Sequence, residues 1–400
     1  MRNFRSNIQR GTAMVVAILL LSGLTIKAQD TTGISVKQFT LGELNKEKLF
    51  TPIVALEAWG TYSMNEELNE ATDRADFMFR RFRFGAKGNP YSWLSYSFQL
   101  NLDRLGEDSY ASTKGGYGGL DIWNAFMTAK LLKNSSLLNL HVGYFWAAIS
   151  REFNTSPWAV GSFDKTRANF YLRNFTTGKG NGIESGIALG GMKNFEGFAI
   201  NYRLGLYMPE AYTVASESAN LYTGRIMFSI GDPEQTKYSY MLSGNQWRKR
   251  KGITIGLGAS SQAKGYLNDT TIWNSSTAYG VDIAVDYNGL HIDGEYFLMK
   301  RTANSLEDFE GAEMHARIGY NLDFRKTYLE PVFSYEHYEG TGSKILYKNI
   351  GVDNAYDFGI NWYINKDKMK FGLHYIVQEG KDIPKLNTGD YIGACMQFRI

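Results

Sequence analysis

The run Trp93-Leu94-Ser95-Tyr96-Ser97-Phe98-Gln99-Leu100-Asn101-Leu102-Asp103 alternates without a break. Leu94, Tyr96, Phe98, Leu100 and Leu102 fall on one side, and Ser95, Ser97, Gln99, Asn101 and Asp103 on the other. Period two over that length predicts a β-strand with one apolar and one wet face. The pattern recurs in sixteen segments, beginning near Ile53, Phe77, Trp93, Leu120, Leu137, Ile183, Phe198, Leu221, Ile253, Tyr279, Leu290, Ala312, Tyr328, Ala355, Lys370 and Tyr391. Each is about long enough to cross a bilayer as a tilted strand. Sheets cross lipid only as closed barrels, because an open edge leaves backbone donors and acceptors unpaired in hydrocarbon. The expected fold is therefore all-β, a transmembrane antiparallel barrel of about 16 strands over residues 53–400.

Other segments repeat the pattern. Tyr279, Val281, Ile283, Val285 and Tyr287 face lipid with Asp282 and Asp286 between them, and Ile392, Ala394, Met396, Phe398 and Ile400 share one face up to the C-terminus. Connections supply an independent test, because barrels carry long loops at one rim and short turns at the other. Long stretches such as Ser63–Ala75, Arg104–Gly119 and Ala147–Asn181 alternate with short ones such as Gly88-Asn89-Pro90 and Asn288-Gly289, the latter a strong two-residue hairpin signal. Gly231–Lys251 breaks the rule: a connection expected to be short is about twenty residues long. Either this turn is decorated or the strand count is off there.

The N-terminus reads as an export address. Arg2, Arg5 and Arg10 form a basic region, Gly11–Ile26 an apolar one, and Ala28 precedes a plausible cut at Gln29. The expected organisation is a signal peptide at 1–28, a short periplasmic segment at 29–52 and the barrel at 53–400, in the Gram-negative outer membrane. Losing Arg2, Arg5, Arg10 and Lys27 takes the 43 basic residues to 39, against 40 acidic ones. The mature chain is then almost neutral, which gives no support to nucleic-acid binding. Cys395 is the only cysteine, so a disulfide framework and a cysteine zinc site are excluded.

The chain resembles the phosphate-selective porin O and P family. Phe79-Arg80-Arg81-Phe82-Arg83-Phe84-Gly85-Ala86-Lys87-Gly88 is similar to that family's double-arginine second strand. Val142-Gly143-Tyr144-Phe145, then Ser150-Arg151-Glu152 and Thr155-Ser156, form a second match. Arg167 and Arg173 fall where the family usually carries arginines. The resemblance implies a homotrimeric porin of sixteen strands with a pore-lining third loop. The chain departs from the family pattern in ending on Phe398-Arg399-Ile400.

A porin performs no bond chemistry; radius and charge at its narrowest point set its selectivity. The longest loop, Ala147–Asn181, is the expected constriction, with Arg151, Lys165, Arg167, Arg173 and Lys179 against Glu152 and Asp164. With Arg81, Arg83 and Lys87 of the wall, Arg151, Lys165, Arg167 and Arg173 are the expected anion contacts, because arginine stays charged and offers several donors to an oxyanion. The wall argues the other way: alternation places eight bases and twelve acids inward, which points away from strong phosphate selectivity. Arg80 interrupts the apolar row Met78, Phe82, Phe84 and is expected at a subunit contact or a strand end. His291, Asp293 and Glu295 share a face, but alternation alone groups any three inward polar residues, so no metal, cofactor or catalytic group is expected. The function expected is passive diffusion of small hydrophilic solutes with some preference for anions such as phosphate. A weakly selective general porin and a non-conducting structural or adhesin barrel are the alternatives.

Overall fold

The computed structural model describes residues 44–64, 74–105, 119–209, 220–268, 271–381 and 389–400. The expected signal peptide, most of the segment after it and parts of several long loops lie outside these residues. The barrel strands are β1 (Thr51–Ser63), β2 (Arg74–Tyr91), β3 (Leu94–Asn101), β4 (Asp121–Lys130), β5 (Asn139–Trp146), β6 (Ile183–Phe195), β7 (Phe198–Met208), β8 (Leu221–Gly231) and β9 (Lys251–Gln262). They continue as β10 (Ser275–Tyr287), β11 (Leu290–Thr302), β12 (Phe309–Tyr320, resuming as Leu322–Phe324), β13 (Thr327–Thr341), β14 (Gly351–Tyr363), β15 (Met369–Lys381) and β16 (Tyr391–Arg399). All neighbours are antiparallel, and β1 pairs with β16 from Ala55↔Arg399 to Ser63↔Tyr391, which closes the sheet. This is the sixteen-stranded barrel that alternation predicts.

The two faces separate as the sequence requires. Tyr279, Val281, Ile283 and Tyr287 are exposed on the outside, while Asp282 and Asp286 between them are buried inside. The Asn288-Gly289 turn joins Tyr287 to its partner Leu290 with φ of +48° and +103°, the positive angles these two residue types tolerate best. The turn expected at Gly88-Asn89-Pro90 lies slightly later: β2 runs on to Tyr91, which pairs with Leu94.

One irregularity matters for the interior. Glu57 of β1 faces Arg81, but the next residue, Ala58, faces Phe79, so Arg80 is an extra residue in a β-bulge. A bulge re-aims the side chains that follow it. Met78 is therefore buried beside Trp59 inside the barrel, while Phe77 and Phe79 are exposed outside. Arg80 turns inward, which corrects its expected place on the outer row.

Candidate functional site

The stretch between β5 and β6 enters the lumen. Its first short helix, α1 (Arg151–Asn154), is capped by Ser150, whose hydroxyl accepts from the Phe153 amide. Its second, α2 (Arg167–Thr177), starts at the Thr166 cap and ends on Gly178 at φ +80°, the left-handed stop that glycine provides. One face of α2 buries Tyr171, Leu172 and Phe175 in a cluster with Phe297, Met299, Phe309 and Tyr338 of the wall. The Tyr171 and Tyr338 rings stack with centroids 3.8 Å apart. Burial of three such side chains contributes about 5–9 kcal/mol, so the loop is a fixed part of the interior. Polar ties secure its far end: Asn361 Nδ2 donates to Gly161 O at 2.6 Å and the Phe163 amide donates to Asp357 at 2.6 Å.

The long connection after β8 resolves in favour of decoration. Residues 232–250 fold back into the barrel from the short-turn rim and meet the inserted loop. The Leu242 amide donates to Asn154 O at 3.0 Å, and Arg151 holds Glu234 with two bonds of 2.6 and 2.8 Å. Tyr240 packs edge-on against Phe145, and Asn245 bonds Asn321 and Glu330. Together the two insertions pack against the wall from β5 to β13, and the far end of the inserted loop also reaches β14, β15 and β16 through Asn361, Lys370 and Gln397.

Beside them a cavity of about 860 Å³ remains, lined by the inserted loop and by residues of β2 to β6 and β13 to β16. Among the described residues, eight basic side chains line it (Arg80, Arg81, Arg83, Arg104, Lys165, Arg167, Arg173 and Lys179) against five carboxylates (Asp103, Asp121, Asp164, Glu336 and Asp357). The wall's acidic excess therefore does not reach the open space. Asp282, Asp286 and Asp293 lie under the insertions, paired with Arg225, Arg250 and Arg317. A count of inward charges along the strands does not register that covering.

The structure separates the residues predicted for this site. Arg81, Arg83, Lys165, Arg167 and Arg173 line the cavity. Arg151 and Lys87 do not. Arg151 is buried against Glu234 and also approaches Asp282 at 3.3 Å; it clamps the two insertions together. Lys87 is exposed near the short-turn rim, because four residues beyond Arg83 carry it about 13 Å along the strand. Two contributors were not among the predicted anion contacts. Arg80 reaches the cavity through the bulge, and Asp164 gathers both Arg80, at 2.9 and 3.0 Å, and Arg81. Two adjacent arginines in one apolar strand were the available signal, since an unbulged strand must turn one of them to lipid.

The cations differ in how far they are committed. Arg81 pairs with Glu57 and Asp164. Arg83 pairs with Asp103 at 2.6 Å and lies 3.4 Å from the Trp123 ring centroid, a close cation–π contact. Arg167 pairs with Asp353, and its buried Nη1 has no hydrogen-bond partner among the described residues. Arg173 makes only a 3.3 Å bond to Asn169 O, and Lys165 donates to Thr155 O at 2.9 Å. Neither has a carboxylate partner among the described residues. Burial, with the nearby Arg173 charge, pushes the Lys165 ammonium down to about 7. Burial lowers Arg173 as well, to about 10, which leaves it charged at neutral pH. Glu152 attracts both cations but is already bonded to Arg317, so the pair is only partly neutralised, an arrangement that an anion relieves.

The sequence family described as phosphate-selective porin O and P matches residues 56–400, almost the whole barrel. The chain belongs to that family. This porin is accordingly an outer-membrane channel. No curated protein sequence matches it. Among solved structures it is similar to Pseudomonas putida OprB at high pH, with a TM-score of 0.56 and 10% identity, covering 88% of this chain and 95% of that one. It is similar to an anion-selective porin from Comamonas acidovorans, with a TM-score of 0.54 and 12% identity over 88% of this chain and 98% of that one. OmpT of Vibrio cholerae in its trimer form gives 0.52 and 10%, over 88% and 99%. At these identities the likeness is one of fold.

Proposed function

We propose that this porin passes small hydrophilic anions, phosphate among them, with a moderate preference over cations. The observation that carries this reading is the cationic excess of the cavity, in which Arg173 and Lys165 lack carboxylate partners among the described residues. These two residues take the anion, replacing part of its hydration by weak contacts it can leave again. Arg80, Arg81 and Arg83 are balanced by Asp164, Glu57 and Asp103, so they contribute a polar wall more than a free charge. That pairing keeps the preference moderate.

Residues 1–28 act as a signal peptide removed on export, followed by the short segment 29–52 and the barrel. The working unit is a homotrimer in outer-membrane lipid, a reading supported by the trimer form of the Vibrio cholerae relative in fold. Zero-current potentials of single channels across a salt gradient test the proposal. Anion preference with saturable block by phosphate is expected, and cation preference overturns it.

A further inference from the structure

Beneath the inserted loop, the wall of β11 to β13 carries a dense set of buried acids. His315 of β12 lies between Glu295 of β11 and Glu336 of β13 in the sheet register, and Glu313 follows on the same face. Glu152 and Asp293 approach from the loop and from β11, and all six side chains are inward. Most of these groups are accounted for. Arg317 bonds Glu152 at 2.9 Å and Asp293 at 2.8 Å, and Glu336 accepts the first amides of α2. Glu295 accepts Ser150 Oγ at 2.9 Å, Asn169 Nδ2 at 2.7 Å and the Glu152 amide at 2.8 Å, three donors that all belong to the inserted loop.

Two groups remain. Among the described residues, no donor bonds either carboxylate oxygen of the fully buried Glu313, and the buried Nδ1 of His315 makes no hydrogen bond. His315 Nδ1 points at Glu295, 3.9 Å from its Oε1. Ligand atoms of Glu295, Glu313 and His315 lie within 4.8 Å of one another. An ionised carboxylate sealed from water without a donor is costly, and either a proton or a cation relieves it; the imidazole nitrogen beside Glu313 and Glu295 is what favours a cation. One imidazole nitrogen with two carboxylates suits a first-row divalent metal such as zinc or manganese better than calcium, which takes six to eight oxygens.

We propose that Glu295, Glu313 and the Nδ1 of His315 form a metal site for zinc or manganese, which fixes Glu295 and through it the inserted loop. The triad on one strand, His291-Asp293-Glu295, is not this site: His291 is taken up between Asp286 and Asp293, at 2.8 and 2.9 Å. The ligands instead come from two adjacent strands, a grouping that only the register reveals.

The test uses the full barrel purified in detergent, stripped with EDTA and titrated with zinc. About one zinc per chain is expected, with affinity lowered at least tenfold in Glu313→Gln and in His315→Gln but unchanged in His291→Gln. Wild-type protein that takes up no zinc or manganese at micromolar concentration overturns the proposal and leaves Glu295 and Glu313 sharing a proton. Full affinity in folded Glu313→Gln overturns it as well. Cobalt(II) titration of the wild type needs no variant: saturable visible absorption at one cobalt per chain supports the site, and a flat titration contradicts it.

Discussion

Replacing Arg173 by Gln removes one full charge from the cavity while disturbing little else. Its guanidinium has no carboxylate partner among the described residues and makes a single 3.3 Å bond to a helix carbonyl, so the loop stays anchored by Tyr171, Phe175 and the wall. An anion held roughly 6 Å from that charge gains about 0.7 kcal/mol in a water-like medium and about 1.4 kcal/mol at half that dielectric constant. Losing it therefore lowers the anion-to-cation permeability ratio by about three- to tenfold, since 1.4 kcal/mol is a factor of ten. The assay is the zero-current potential of the reconstituted variant across a tenfold potassium chloride gradient, with a thermal melt to show that the barrel is intact. A folded Arg173→Gln channel with the wild-type permeability ratio refutes the assignment of Arg173 as an anion contact.

Three further outcomes follow from the same geometry. Lys165 is held down to about 7, so its charge is present below that pH and lost above it; anion preference should fall between pH 5.5 and 8.5, and Lys165→Gln should abolish the dependence. Asp164→Asn frees Arg80 and Arg81 from their shared partner and should raise the anion-to-cation ratio by about threefold in the same gradient, from a charge change of the size worked out for Arg173. Arg151→Ala leaves Glu234 buried without its guanidinium and should cost about 3–5 kcal/mol of stability by denaturant unfolding. Because the penalty is an unpaired charge, adding Glu234→Gln should recover part of it, and strict additivity of the two changes would contradict the clamp.

The barrel was legible because most strands alternate between a lipid face and a wet face, and because long and short connections mostly alternate. The start of each strand, the Asn288-Gly289 turn and the odd length of Gly231–Lys251 could all be read in that way. Interior detail was less legible. Alternation assumes an unbroken strand, so the extra residue at Arg80 reversed the inferred faces of Met78 and Arg80. A run containing a Thr166 cap and a Gly178 stop held an eleven-residue helix that the barrel pattern gave no reason to expect. The charge count along the wall did not locate the open space, for a different reason. Asp282 and Asp293 do face inward, but the folded insertions cover them, and coverage depends on contacts between residues more than a hundred positions apart, such as Ser150 with Glu295. Arg151 shows the same limit: its motif is sound, yet Glu234 meets it from a segment whose path the sequence did not indicate.

The central claim is that the space left beside the two insertions conducts and prefers anions. The zero-current potential of the wild-type channel in a planar bilayer, across a tenfold potassium chloride gradient with phosphate then added on the long-loop side, tests it most directly. The expected potential has the sign set by chloride, and the chloride current falls saturably as phosphate is added. A potential of the sign set by potassium, or a barrel that inserts and does not conduct, would contradict it.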